Sequence, residues 1–83
     1  MQNNNKIFTV MKDGKKVDYD VIMTFQNEDN KKNYVVYTDN TYDSSNKLKI
    51  YAAIYDPYDN NKFLGVPETT EEWIKIKDLL KKI

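Results

Sequence analysis

The chain has 83 residues, with 13 lysines, no arginine and 13 acidic residues, so its formal net charge at pH 7 is +0. This length suits one small domain, and the absence of cysteine and histidine excludes disulfides, thiol catalysis and the commonest metal ligands. The absence of arginine disfavours a dedicated nucleic-acid binder and weakens any phosphate site. We therefore expect no enzyme, no cofactor and no metal site.

The chain divides into a short tail and one domain. Residues 1–5 are predicted to be a disordered N-terminus, and residues 6–83 a single α+β domain. No apolar run approaches the roughly 18 residues of a membrane span, and no signal-peptide core follows the N-terminus. We expect a cytoplasmic protein that does not contact a membrane.

The first element is a β-hairpin centred on Asp13 and Gly14. Asp-Gly between two β-rich runs favours a two-residue turn, because both turn positions need a positive φ. The turn sets a register that places Lys12 opposite Lys15 and Phe8 opposite Tyr19. Strict alternation then predicts one apolar face that is shared by both strands and carries Phe8, Val10, Val17, Tyr19, Val21, Met23 and Phe25.

Polar connections separate the hairpin from further strands. Residues 33–39 form a third strand, whose inward face cannot be assigned because both alternating sets are apolar. Residues 47–56 form a fourth strand, with Leu48, Ile50, Ala52 and Ile54 predicted on the core face. Residues 63–66 are a candidate for a short edge strand before Pro67, and the sequence leaves open whether this fifth strand forms.

A C-terminal helix is predicted from about residue 70 to residue 82. Thr69 and Glu72 have the spacing of a capping box. An apolar stripe along the helix consists of Trp73, Ile76, Leu79, Leu80 and Ile83. We expect Trp73 to anchor the helix on the sheet face of Phe8, Val10, Tyr19, Val21, Phe25, Ile50 and Ile54. The predicted fold is α+β, with two layers: an antiparallel meander of four to five strands and one amphipathic C-terminal helix packed on one face.

Five short segments carry a family resemblance. They are Asp13-Gly14, residues 21–25, Tyr34-Val35, residues 50–52 and residues 71–73. Together they resemble the YrzB-like proteins, small uncharacterised domains of low-GC Gram-positive bacteria. The resemblance implies a bacterial cytosolic protein and supplies no catalytic residue.

The candidate reactive groups have ordinary structural explanations. Ser44 and Ser45 lack a histidine base, and are typical of a turn. Asp18 and Asp20 alternate along one strand, which is typical of a solvated face. The loop that begins at Asp39 lacks the glycine and the glutamate that a calcium-binding loop requires.

The open face of the predicted sheet is the candidate binding surface. It is more apolar than a solvent-facing sheet surface normally is, which favours a protein partner or a homodimer. Ordinary exposed strand composition is the second interpretation. The third is single-stranded nucleic-acid binding through tyrosines and lysines of the same face, which the missing arginine disfavours. The candidate residues are Ile7, Met11, Ile22, Lys47, Lys49, Tyr51 and Tyr55.

Overall fold

The computed structural model describes residues 6–82 of the chain. These residues contain five antiparallel strands and one C-terminal helix. The sheet order follows the chain order, from β1 to β5. The α+β meander with a C-terminal helix is therefore confirmed, and the fifth strand, which the sequence left open, is present as Lys62–Gly65. The expectations for residues 1–5 and for Ile83 lie outside the described residues. The elements are β1 (Ile7–Lys12), β2 (Lys15–Gln26), β3 (Asn33–Thr38), β4 (Tyr51–Asp56), β5 (Lys62–Gly65) and α1 (Thr70–Leu80).

The first hairpin has the predicted turn and register. Asp13 and Gly14 both have positive φ, at 51° and 76°. Lys12 lies opposite Lys15, and Phe8 lies opposite Tyr19. Local turn chemistry alone therefore positions β1 on β2.

A β-bulge at Ile22 reverses the faces of β2. Val21 lies opposite Tyr37 and Met23 lies opposite Val36, so Ile22 is an extra residue without a partner on β3. Odd-numbered residues of β2 up to Val21 point to one side of the sheet, whereas odd-numbered residues from Met23 onward point to the other side. The prediction that Phe8, Val21 and Phe25 share one face is therefore wrong.

The sheet curls strongly on the side of Phe8. The ring of Phe8, on β1, lies 5.1 Å from that of Tyr37 on β3 and 5.9 Å from that of Tyr55 on β4. In a flat sheet, β1 and β4 would be about 14 Å apart. A second bulge, at Leu64 of β5, adds to the bend. The ring of strands is nearly closed, and an open seam remains between the outer edges of β1 and β5.

The curvature produces two cores, one on each side of the sheet. The helix-side core lies between the sheet and α1 and contains Tyr34, Val36, Ala52 and Ile76. The concave core lies inside the curled sheet and contains Phe8, Val35 and Ala53. Strand β3 supplies both cores, because it is central and covered on both faces. This explains why both of its alternating sets are apolar.

The helix begins as predicted, and Ile76 and Leu80 of its predicted apolar stripe pack in the helix-side core, but Glu72 takes the buried position expected of Trp73. Thr69 is the N-cap, and Thr69 and Glu72 form the predicted capping box. The buried residues are Glu72 and Ile76, whereas Trp73 is 37% exposed and its Nε1 donates to the Pro67 carbonyl at 3.1 Å. The expectation that Trp73 is the buried anchor is wrong, because the helix is rotated toward Glu72.

The fourth strand is shorter than predicted. It begins at Tyr51, and the segment before it contributes only an isolated bridge between Tyr42 and Leu48. Ala52 and Ile54 pack in the helix-side core as predicted, whereas Ile50 is exposed and does not belong to that core. In the described part of the chain, no helix has the length and apolarity needed to cross a membrane.

Candidate functional site

The seven predicted binding residues do not share one surface. Ile22 packs against the helix-side core. Tyr55 packs in the concave core, and Tyr51 lies on the same side of β4. The remaining residues are elsewhere: Ile7 and Met11 alternate with Phe8 and so point to the convex side of β1, whereas Lys47 and Lys49 lie in the loop before β4.

Tyrosines line the concave side but pack on one another. The rings of Tyr19 and Tyr37 are 4.8 Å apart, and those of Tyr37 and Tyr51 are 5.7 Å apart. Burial raises the pKa of Tyr37 above its ordinary value. The Tyr55 ring meets Phe8 edge-on. Tyr37 and Tyr55 pack against the concave core, and the rings of Tyr19 and Tyr51 are tilted by 50° and 32° against that of Tyr37. The concave side therefore does not form a flat platform for stacked bases.

The open seam has a cavity between its two edges. A space of about 330 Å³ lies between Thr9–Met11 of β1 and residues 60–63 at the start of β5. A neighbouring space of about 390 Å³ extends into the concave side. Phe8, Val21, Val35 and Tyr55 contribute to its lining. Lys6, Thr24 and Asn61 also line this space, so the seam opens into a cavity of mixed polar and apolar character.

Exposed apolar side chains flank the seam on both strands. Met11 of β1 is 61% exposed and Leu64 of β5 is 57% exposed. Ile7 and Phe63 are also exposed. Edge strands of monomeric domains usually carry charged residues, because exposed apolar edges promote pairing with other chains. Here the lysines lie at the ends of the edges, and the middle of each edge is apolar.

A buried carboxylate lies at the other end of the molecule, under the start of α1. Glu72 is 7% exposed, and its Oε2 accepts a hydrogen bond from the Tyr34 hydroxyl. Its Oε1 accepts from the backbone N–H groups of Glu68 and Thr69, both at 3.1 Å, and from Thr69 Oγ1 at 3.0 Å. Asn30 Nδ2 donates to the Tyr34 hydroxyl at 3.0 Å.

The capping-box spacing predicted Glu72 as a capping residue, but it did not predict that the Glu72 side chain is buried. Glu72 and Ile76 are four residues apart, so they lie on one side of the helix. This spacing is the sequence feature from which the burial of Glu72 could have been predicted. The hydroxyl of Tyr34 then reaches Glu72 from the central strand, which is a contact 38 residues apart in sequence.

The chain matches the model of a protein family over most of its length. Residues 12–83 match the family described as a protein of unknown function, DUF1292. The chain belongs to this family. It is also similar to a UPF0473 protein of Bacillus velezensis, with 30% identity over 83 residues that cover 96% of this chain and 89% of the relative. No solved structure matches the chain.

Membership of DUF1292 confirms the expectation of a small uncharacterised family, although neither match carries the YrzB name. The family description assigns no activity. The chemistry available to this DUF1292 protein therefore has to be read from its own side chains.

Those side chains hold Glu72 as a stable anion. The hydrogen bond from Tyr34 is the main cause that lowers the pKa of Glu72 to about 2. Burial, together with Glu72, raises the pKa of Tyr34. Donors already occupy both carboxylate oxygens, so this pair stabilises the helix start. Within residues 6–82, no cluster of three or more acidic side chains is arranged to hold a metal ion.

Proposed function

We propose that this DUF1292 protein is a non-catalytic protein-interaction module that binds its partner at the open seam between β1 and β5. The exposed apolar side chains on both edges of the seam carry this proposal, with Met11 and Leu64 the most exposed. Apolar groups at a sheet edge cost solubility unless a partner covers them. The seam thus takes the role that the sequence analysis gave to an open sheet face.

Two features support the choice of the seam over the concave face. Phe8 is 1% exposed and, with Val35 and Ala53, belongs to the concave core, so side chains of the protein itself cover this face outside the cavity next to the seam. The seam, by contrast, presents exposed apolar groups beside a cavity that opens to solvent.

The non-catalytic part of the proposal is supported by the side-chain inventory. The chain has no histidine, cysteine or arginine. Its most strongly perturbed carboxylate, Glu72, is buried and accepts hydrogen bonds at both oxygens. A general acid or base must reach the proton that it transfers. Glu72 does not meet this condition.

Capture of binding proteins from a bacterial lysate tests the interaction. Two double variants are compared, each of which replaces two exposed apolar residues by lysine. Ile7→Lys with Leu64→Lys changes the seam, whereas Tyr42→Lys with Ile74→Lys changes two other exposed apolar residues. We expect the wild type and the control variant to recover the same partner and the seam variant to lose it. Equal recovery by both variants would contradict binding at the seam. No specific recovery by any of the three proteins would contradict the proposed function.

The nucleic-acid alternative has its own test. Tyr55 packs on Phe8, and Lys47 and Lys49 lie outside the strands, so they do not form a stacking platform with Tyr51. We expect a labelled single-stranded oligonucleotide to form no micromolar complex, even at low salt, where phosphate contacts are strongest. A tight complex that weakens steeply with added salt would favour the alternative.

A further inference from the structure

We infer that the partner segment is an acidic, extended peptide that adds one antiparallel strand in the seam between β1 and β5. This inference rests on the proposed function and specifies the chemistry of the partner. It follows from the strand topology, the backbone groups at the edge, the side chains beside the seam and the charges on the two edge strands.

The topology defines the direction of a strand that could be added between β1 and β5. The five strands pair in chain order and are all antiparallel to their neighbours. Strands β1 and β5 therefore run in the same direction and cannot pair with each other in an antiparallel manner. A closed antiparallel ring needs an even number of strands. One added strand, running opposite to both, would be antiparallel to each edge and would close the ring.

The outer edge of β1 has backbone groups available for such pairing. Val21 N–H donates to the Lys6 carbonyl at 3.0 Å. In an antiparallel pair, the hydrogen-bonded residues alternate with residues whose backbone groups point the other way. The even-numbered residues of β1 therefore bond to β2, and Ile7, Thr9 and Met11 direct their N–H and C=O groups toward the seam. In residues 6–82, no backbone hydrogen bond joins them to β5.

The side chains beside the seam define the pattern of the added strand. Residues on the inner side of that strand would face the cavity of about 390 Å³ with Phe8 and Tyr55 in its lining. Residues on the outer side would lie beside the exposed Ile7 and Met11. Strand addition takes its affinity from main-chain hydrogen bonds and its specificity from alternate side chains. The middle of the added strand is therefore apolar.

The charges of the edge strands favour an acidic partner over a second copy. Residues 6–12 and 62–65 contain Lys6, Lys12 and Lys62 and no carboxylate. Asp18 of β2 lies beside the middle of the β1 edge, where its Oδ1 accepts a hydrogen bond from Thr9 Oγ1 at 2.7 Å, so the positive charges are confined to the ends of the edges. Self-pairing of β1 about Thr9 would place Lys6 opposite Lys12 of the other copy, and like charges directly opposite each other destabilise a strand pair. Glutamate or aspartate at the ends of a foreign strand would instead meet these lysines.

Selection from a displayed library of random ten-residue peptides tests the chemistry directly. We expect the enriched peptides to have an apolar, proline-free centre and acidic residues near the ends. Enrichment of basic, proline-rich or helix-forming peptides would overturn the inference, and so would no enrichment at all. Sedimentation of the full chain provides a further check, because dimers that the enriched peptide dissociates would identify a second copy as the occupant.

Two variants of one residue test whether the peptide pairs with the edge of β1. Met11→Pro removes the N–H that faces the seam and keeps the hydrogen bonds between β1 and β2, whereas Met11→Thr keeps the N–H. Both variants remove the same exposed side chain. We expect Met11→Pro to weaken binding of the best enriched peptide about tenfold or more relative to Met11→Thr, since it loses a main-chain bond and adds a clash. Equal affinities would overturn strand addition. Thermal melting of both variants verifies that the fold is retained.

Charge reversal tests the acidic character of the partner. Lys12→Glu with Lys62→Glu reverses the edge, and Lys75→Glu with Lys81→Glu makes the same net change on the exposed side of the helix. We expect roughly tenfold weaker binding for the first pair and little change for the second. Equal effects would overturn the charge argument.

The outcomes separate this inference from the proposed function. If peptides bind Met11→Pro and Met11→Thr equally well while lysate capture still depends on Ile7 and Leu64, the seam is an interaction site that does not accept a strand. If neither peptides nor lysate proteins bind, the proposed function itself fails.

Discussion

The helix-side core and the concave core cover the two faces of one sheet by different means. On the helix side, α1 contributes Ile76 and the buried Glu72, and the carboxylate has a dedicated set of donors. On the concave side, the sheet curls until Phe8 of β1 reaches Tyr55 of β4, and the contacts are aromatic and aliphatic. The backbone N–H groups at the N-terminus of a helix need hydrogen-bond partners from elsewhere. In a curled sheet, only the backbone groups on the outer edges lack such partners. The polar network therefore lies under the helix, and the open seam lies between the two edges of the curled sheet.

The largest expected effect tests whether the concave side is a true core. Phe8→Ala should destabilise the protein by about 3–5 kcal/mol, and Ile76→Ala by about 2–5 kcal/mol, because each removes a fully buried side chain. Urea unfolding measures both losses. A loss below about 1 kcal/mol for Phe8→Ala would mean that the concave face is ordinary surface.

The next effect compares two tyrosine–carboxylate hydrogen bonds. Tyr34→Phe removes the buried bond to Glu72 and should cost about 1.5–3 kcal/mol, since the partner is a charged group. Tyr51→Phe is the matched control, because it removes an exposed hydrogen bond of 3.1 Å to Asp39 and should leave the stability almost unchanged. Equal costs would contradict the burial of the Glu72 network.

The same network should make stability depend on pH. The folded pKa of Glu72 is about 2, against an ordinary value of 4.5, so the unfolded chain takes up the proton first as the pH falls. The stabilisation is complete above about pH 5 and is lost progressively toward pH 2. Denaturant melts across this range should show a steeper decline for the wild type than for Glu72→Gln. Parallel declines would show that Glu72 does not cause the acid sensitivity.

The smallest expected effect concerns Trp73. Because the side chain is 37% exposed, Trp73→Ala should cost about 1–2 kcal/mol, below the 3–5 kcal/mol of a fully buried aromatic residue. The variant should remain folded, with a modestly lowered melting temperature. A protein that no longer folds would restore Trp73 as the anchor of the helix.

Local features were predictable where one short segment decides the geometry. The Asp13-Gly14 turn sets the register of the first hairpin, and Thr69 with Glu72 sets the start of α1. The side of the sheet that each strand presents was less predictable. One extra residue at Ile22 reverses the alternation, and neither glycine nor proline marks the position.

The candidate site was also predictable only in part: the exposure of single residues was predicted, but their grouping on one surface was not. Ile7 and Met11 were identified as exposed apolar residues, and they flank the seam. Ile22 and Tyr55 were assigned to the same surface, but the bulge and the curvature bring them into two separate cores. The grouping failed because a flat sheet was assumed.

The class of the fold, the hairpin register and the helix cap can be predicted from short segments, because they depend on turn chemistry and hydrophobic period within a few residues. The extent of sheet curvature, the residues that share a core and the position of the open edge became evident from the folded structure. Those properties depend on two bulges and on contacts between residues distant in sequence, such as Phe8 with Tyr55 and Tyr34 with Glu72. Packing across the whole domain selects them, and no local pattern encodes that selection.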